Sequence, residues 1–125
     1  MNSRYYNQSI HKYVNGEPHS HLLSKYVVAT IASNYDYFAK MEVKTDTFQG
    51  YTTDLELHNE KTGDYLGVNV DGLYHQANKK QINKTNTRDF ILSRYYRSRN
   101  QRYAVVTVDE IQTMSVDYIV RKLGI

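Results

Sequence analysis

The chain has 125 residues, enough for one domain with a buried core and too few for two. It contains no cysteine, which excludes disulfide bonds, thiolate metal sites and cysteine nucleophiles. The net charge is only +3, but eight of the 16 Lys and Arg residues lie between residues 78 and 102, a segment with a single acidic residue.

The hydropathy of the sequence argues against a membrane protein. No apolar run reaches the length that a membrane span needs, and the N-terminal residues lack the apolar segment of a signal peptide. We therefore expect a cytoplasmic protein with no membrane partner. Residues 1–18 are polar and rich in tyrosine and are predicted to form an N-terminal arm, followed by one domain over residues 19–125.

The first predicted element of the domain is a helix. Ser20 has the side chain of an N-cap, and apolar residues recur with helical spacing over residues 21–35. The β-branched pair Val27 and Val28 leaves a strand as the alternative.

Three strands are predicted next. Residues 37–48 alternate polar and apolar side chains, as in a strand with one solvated face. Residues 52–59 alternate with period two, and residues 65–72 are β-branched and mostly apolar. The Gly-containing segment 60–64 between these two strands predicts a hairpin turn.

The remaining elements complete an α/β pattern. The polar stretch His75–Asn86 is predicted to be irregular, and Thr87 is the expected cap of a second helix. An apolar strand at residues 103–108 and a final helix over residues 115–124 follow. The order α-β-β-β-α-β-α predicts a three-layer sandwich around a mixed central sheet.

Candidate site residues cluster where the second predicted strand begins and the third ends. The hairpin register places Asp54 beside Asn69 or Asp71 of the partner strand. Gly72 follows, and His75 comes three residues later. Two carboxylates and an imidazole are thus expected at one point of the fold.

An aspartate-bearing strand, a hairpin and a strand that ends V-x-V-D-G-x-x-H resemble the very-short-patch-repair branch of the PD-(D/E)XK nuclease superfamily. The basic helical stretch over residues 87–111 also fits this branch, and the resemblance covers residues 20 to 112. It implies a restriction-endonuclease-like fold and a DNA endonuclease that hydrolyses phosphodiester bonds with Mg²⁺ or Mn²⁺. A phage or mobile element is the source we expect for such an enzyme.

The resemblance also implies roles for single residues. Asp54 would be the first metal ligand, and either Asp71 or the backbone carbonyl of Val70 the second. His75 would act as general acid or base, or would orient a water molecule. Asn69 departs from the pattern, because relatives carry Glu or Gln there. A catalytically inactive nuclease-fold domain that binds nucleic acid or a protein is therefore the alternative.

The basic segment is the candidate DNA-binding surface. A segment so strongly of one sign is typical of phosphate contacts, although a solvated helix face can carry the same charges. The residues predicted to contact DNA are Lys79, Lys80, Lys84, Arg88, Arg94 and Arg97.

Two competing motifs are weaker. His19 and His21, with Tyr118 and Lys122 far downstream, are similar to the HxH and YxxK motifs of rolling-circle replication initiators. The histidines are expected at the start of a helix, however, and the separation is too long. Glu42-Val43-Lys44 is a literal E-x-K sequence, but no acid-bearing strand precedes it, so a solvated strand face is the better interpretation.

Overall fold

The computed structural model describes residues 13–14, 17–72 and 79–125. From residue 19 onward the described elements follow the predicted order, with an additional short helix near the C-terminus. Two short strands that the sequence did not predict precede them. They are β1 (Tyr13–Val14), β2 (Glu17–Pro18), α1 (His19–Ser33), β3 (Phe38–Lys44), β4 (Thr52–His58), β5 (Tyr65–Asp71), α2 (Lys79–Arg97), β6 (Arg102–Thr107), α3 (Val108–Thr113) and α4 (Val116–Leu123).

The central sheet is mixed, which confirms an α/β protein. Its strand order is β3-β4-β5-β6. The pairs β3–β4 and β4–β5 are antiparallel, whereas β5–β6 is parallel. A parallel pair needs a crossover connection, and α2 lies in the segment that joins these two strands. Separately, β1 pairs with β2, and both contact α1.

The apolar core lies on one face of the sheet. Alternate residues of a strand share a face, and the even-numbered residues of β5 are buried against α1 and α4. Burying such side chains stabilises each by about 1.5–3 kcal/mol relative to exposure. The buried apolar residues of these three elements are Leu66, Val68 and Val70 of β5, Val28, Ile31 and Ala32 of α1, and Ile119 and Leu123 of α4.

Helix α2 packs on the opposite face through Tyr96. A Cβ atom added to Gly67 of β5 would lie 2.4 Å from the Tyr96 Cζ atom, so glycine is what lets the ring approach the strand. The Tyr96 hydroxyl donates to Glu56 Oε2 (2.6 Å), and the ring stacks on Tyr103 at 5.9 Å. Burial raises the pKa of Tyr96, and Glu56 raises it further. The sheet therefore has helices on both faces.

Two predicted helix starts are wrong. Helix α1 begins at His19 with Pro18 in the N-cap position, and Ser20 lies inside the first turn. Helix α2 begins at Lys79, about two turns before Thr87, whose hydroxyl donates to the Asn83 carbonyl (3.0 Å). The first turns of α2 are largely exposed, so their sequence has no apolar periodicity from which a helix could be predicted.

The predictions near the C-terminus are confirmed. The Ser115 hydroxyl accepts from the Tyr118 N–H (3.1 Å) at the start of α4, and Gly124 ends that helix at φ 68°. Helix α3 was not predicted, although its capping box between Thr107 and Glu110 is visible in the sequence as T-x-x-E.

Among the described residues, no helix combines the length and apolarity that a membrane crossing requires.

We expect Gly67→Ala to lower the free energy of unfolding by about 2 kcal/mol, because the added methyl group overlaps the buried Tyr96 ring. Urea denaturation followed by circular dichroism measures the change. Gly72→Ala is the matched control, since no atom of a described residue other than its chain neighbours lies within 4 Å of a Cβ placed there. Equal stability of the two variants would show that the contact of α2 with the strand does not depend on glycine.

Candidate functional site

The site is built where β4 and β5 stop pairing through their backbones. The ladder ends at Leu55 opposite Val68. Beyond that pair, the Asp54 N–H donates to Asn69 Oδ1 (2.9 Å), and the Val70 N–H donates to Asp54 Oδ2 (2.7 Å). Two side chains thus replace the backbone bonds of a regular ladder, and Asn69, one of the two partners that the sequence left open, is the residue beside Asp54.

The neighbouring strand is also irregular at this point. Glu42 of β3 has φ 55°, a left-handed conformation that is costly for a residue with a side chain. It does not pair with Asp54, although the residues on both sides keep their partners. The Glu42 carboxylate contacts the ammonium of Lys25 on α1, whose side chain is only 1% exposed. The strained backbone therefore accompanies an ion pair between the sheet and α1.

His21, in the first turn of α1, completes this corner of the site. Its Nε2 atom lies 2.7 Å from the Val70 carbonyl oxygen and 3.4 Å from Asp54 Oδ2. The side chains of His21 and Asp54 are each 16% exposed. Two groups predicted as metal ligands, the Asp54 carboxylate and the Val70 carbonyl, thus converge on one atom of His21.

Sequence reasoning had placed His21 only in the replication-initiator motif. A signal was available, because His21 and Lys25 are four residues apart and therefore share a helix face with Val28 and Ala32. That face is buried against the sheet.

Asp71 lies in a different environment. Its Oδ1 atom accepts from Arg88 Nη2 (2.7 Å), and Arg88 also donates to Asp89 (2.8 Å). Burial alone would lower the pKa of Arg88, but the hydrogen bond and charge of Asp71 raise it. Asp71 therefore has its partner on α2, whereas Asp54 contacts α1, and the two predicted carboxylates share no partner among the described residues.

Asn69 connects these two environments. It is 1% exposed, and its Nδ2 atom donates to the Tyr103 hydroxyl (2.7 Å), which donates to Asp89 (2.7 Å). Burial raises the pKa of Tyr103, and the charge of Asp89 raises it further, so the hydroxyl keeps its proton. Asn69 Oδ1 accepts from the Asp54 N–H, so both the oxygen and the nitrogen of the Asn69 amide are hydrogen-bonded inside the protein.

The donor atoms at the site set what it could hold. Among the described residues, no group of three or more His, Cys, Asp or Glu side chains could hold a metal ion. The Asp54 carboxylate and the Val70 carbonyl are hard oxygen donors of the kind that Mg²⁺ and Mn²⁺ prefer, and His21 Nε2 lies beside both. His75 lies outside the described residues.

Four of the predicted DNA-binding residues line one groove of about 890 Å³. Tyr51, which precedes β4 and its Asp54, lies in the same wall. We call this surface the basic groove; its cationic lining residues are Lys79, Lys80, Lys84 and Arg88.

The other basic residues of the segment lie elsewhere. Arg94 and Arg97 are exposed in the last turn of α2, and Arg97 lines a smaller cavity of about 430 Å³. Arg102 has a structural role, since it binds both carboxylate oxygens of Asp64 and the carbonyl of Leu123. The hydrogen bond from Arg102 lowers the pKa of Asp64.

The competing motifs are held in other contacts. The Tyr118 hydroxyl and the Lys122 ammonium both bind Glu110, within the pair of C-terminal helices. Of the E-x-K sequence on β3, Glu42 binds Lys25, and Lys44 is exposed.

No protein-family model matches the sequence, and neither a curated protein nor a solved structure is significantly similar to it.

We expect Arg88→Met to lower the free energy of unfolding by about 3 kcal/mol, because it leaves the Asp71 carboxylate buried without its cation. Adding Asp71→Asn should recover part of this loss. In a double-mutant cycle from urea denaturation, we expect a coupling energy above about 1 kcal/mol. Arg94→Met on the exposed end of the same helix should change stability by less than about 0.5 kcal/mol. Additive effects of the two substitutions would contradict the ion pair.

Proposed function

We propose that this protein is a metal-dependent DNA endonuclease with a restriction-endonuclease-like fold, which hydrolyses phosphodiester bonds with Mg²⁺ or Mn²⁺. The observation that carries the proposal is the convergence of the Asp54 carboxylate and the Val70 carbonyl at one end of the two central strands, β4 and β5. The predicted position of Asp54 opposite the end of β5 supports it as well.

The chemistry requires few protein groups. A divalent cation, when bound, polarises a phosphate oxygen and lowers the pKa of a coordinated water molecule. Asp54 and Val70 would hold that cation. Among the described residues, Asp54 has no Lys or Arg partner that would compete with it. The hydrogen bond from the Val70 N–H fixes the carboxylate and leaves Oδ1 without a bond to any described residue.

The basic groove supplies the substrate side of the proposal. Lys79, Lys80 and Lys84 are on the exposed first turns of α2, so their ammonium groups can meet phosphates. Tyr51 joins this groove to the start of β4, the strand that carries Asp54. DNA bound by the lysines would thus pass the end of the central strands β4 and β5, where the cation is proposed.

A catalytically inactive nuclease-fold domain that binds nucleic acid is the second candidate. The observation in its favour is that Asp71 is paired with Arg88 and that Asn69 is fully engaged by its neighbours. Two positions that would contribute to catalysis are then occupied by structural contacts.

We expect the protein to cleave DNA in the presence of Mn²⁺ or Mg²⁺, and Asp54→Asn to slow cleavage at least about a hundredfold because a cation ligand is removed. Single-stranded, duplex and mismatched DNA would be tested by gel electrophoresis. Asp117→Asn, on the exposed face of α4, is the matched control and should leave the rate unchanged. DNA binding without cleavage of any substrate would favour the inactive domain, and cleavage unaffected by Asp54→Asn would overturn the proposed site.

Salt dependence tests the basic groove separately. Replacing Lys79, Lys80 and Lys84 by Gln should reduce the slope of log K against log salt concentration by about 0.9 for each duplex phosphate that the variant no longer neutralises. Fluorescence anisotropy between about 50 and 200 mM salt measures the slope. Replacing Lys61 and Arg121, which lie in the hairpin turn and on α4, should not change it. An unchanged slope in the triple variant would make the groove a solvated surface only.

A further inference from the structure

We propose that His21 is the third ligand of the cation, so that the site selects a transition metal such as Mn²⁺ over Mg²⁺. The inference deepens the proposed function, because it names the ligand set and metal class of the same site. Sequence reasoning assigned the metal to carboxylates and a carbonyl alone; the imidazole is contributed by the first helix.

The geometry of the three donor atoms carries the inference. Metal–ligand bonds of about 2.0–2.2 Å at angles of 90° to 109° place neighbouring ligand atoms about 2.8–3.6 Å apart. His21 Nε2 lies 2.7 Å from the Val70 oxygen and 3.4 Å from Asp54 Oδ2. Only a small movement is therefore needed to admit a cation among them.

The surroundings hold these donors in place. The Val70 N–H donates to Asp54 Oδ2 (2.7 Å) and fixes it. The carboxylate and the carbonyl therefore belong to one rigid unit at the end of the two central strands. On α1, Lys25 lies one turn after His21 and is anchored to Glu42 of β3. This ion pair fixes the turn of α1 that carries the imidazole. The backbone of Glu42, its partner in β3, has a left-handed conformation.

The donor types decide which cation fits best. Imidazole nitrogen suits transition metals such as Fe²⁺, Ni²⁺ and Zn²⁺, and Mn²⁺ is the weakest-binding of that series. Mg²⁺, by contrast, is bound through oxygen ligands, so a site with one imidazole favours Mn²⁺ over Mg²⁺. A neutral imidazole can bind metal through Nε2 when its proton is on Nδ1. The Val70 carbonyl can only accept, so in the 2.7 Å contact Nε2 carries the ring proton. Binding of a cation therefore moves that proton from Nε2 to Nδ1 and replaces the hydrogen bond by bonds of Nε2 and of the Val70 oxygen to the cation.

The test is to titrate the purified protein with Mn²⁺ and to record electron spin echo envelope modulation, which detects directly bonded nitrogen. We expect ¹⁴N modulation in the wild-type protein. Labelling the histidines with ¹⁵N should change its pattern. His21→Gln should abolish the modulation and weaken Mn²⁺ binding at least about tenfold, the smallest effect usual for disturbing a metal site. His19→Gln, two residues earlier on the same helix, is the matched control and should retain both.

A second variant tests selectivity. His21→Asp presents oxygen in place of nitrogen, so the ratio of Mg²⁺ to Mn²⁺ affinity should rise above that of the wild type. Three results would overturn the inference: no Mn²⁺ binding by the wild type, Mn²⁺ binding without ¹⁴N modulation, or modulation abolished in His75→Gln but kept in His21→Gln. Because these readouts do not depend on cleavage, a protein that binds Mn²⁺ through His21 without cutting DNA would refute only the proposed function.

Discussion

The exchange of backbone for side-chain hydrogen bonds between β4 and β5 is the interaction on which the whole site depends. At the Asp54–Asn69 position, each side chain bonds a backbone N–H of the opposite strand. Buried backbone groups must be satisfied, so these two side chains allow the ladder to end inside the protein at little cost. The Asp54 carboxylate and the Val70 carbonyl are thereby brought to His21 at the end of these two central strands.

This interaction also explains why residue 69 is an amide. Asn69 must accept from the Asp54 N–H and donate to the Tyr103 hydroxyl. An ionised carboxylate can only accept hydrogen bonds. With Glu in this buried position, the single proton of the Tyr103 hydroxyl could be donated either to Glu or to Asp89, and the other carboxylate would lose its hydrogen bond. Asn69 is thus a structural requirement of this hydrogen-bond chain, which runs from α1 through the sheet to α2.

Local patterns in the sequence were sufficient for strands β3 to β6 and for the hairpin, and they narrowed the partner of Asp54 to Asn69 or Asp71, since these features depend on residues close in the chain. The start of α2 was missed because its exposed first turns carry no apolar stripe. The contacts of His21 and the left-handed backbone of Glu42 depend on how α1 lies across β3 and β5. The spacing of His21 and Lys25 therefore indicates a shared helix face, but not what that face contacts. Tertiary contact, rather than local propensity, decides those positions.

The contacts of Arg88 divide the predicted DNA-binding residues by their chemistry. A phosphate that took Arg88 would leave Asp71, whose side chain is 7% exposed, as a buried charge without a partner. The guanidinium also binds Asp89, which in turn holds the Tyr103 hydroxyl, so its removal would disturb the chain through Asn69. Arg88 is therefore better understood as the fixed inner wall of the basic groove. In the proposed function, phosphate contacts would then fall to the lysines of the first turns of α2, whose exposed ammonium groups would lose little by exchanging water for phosphate.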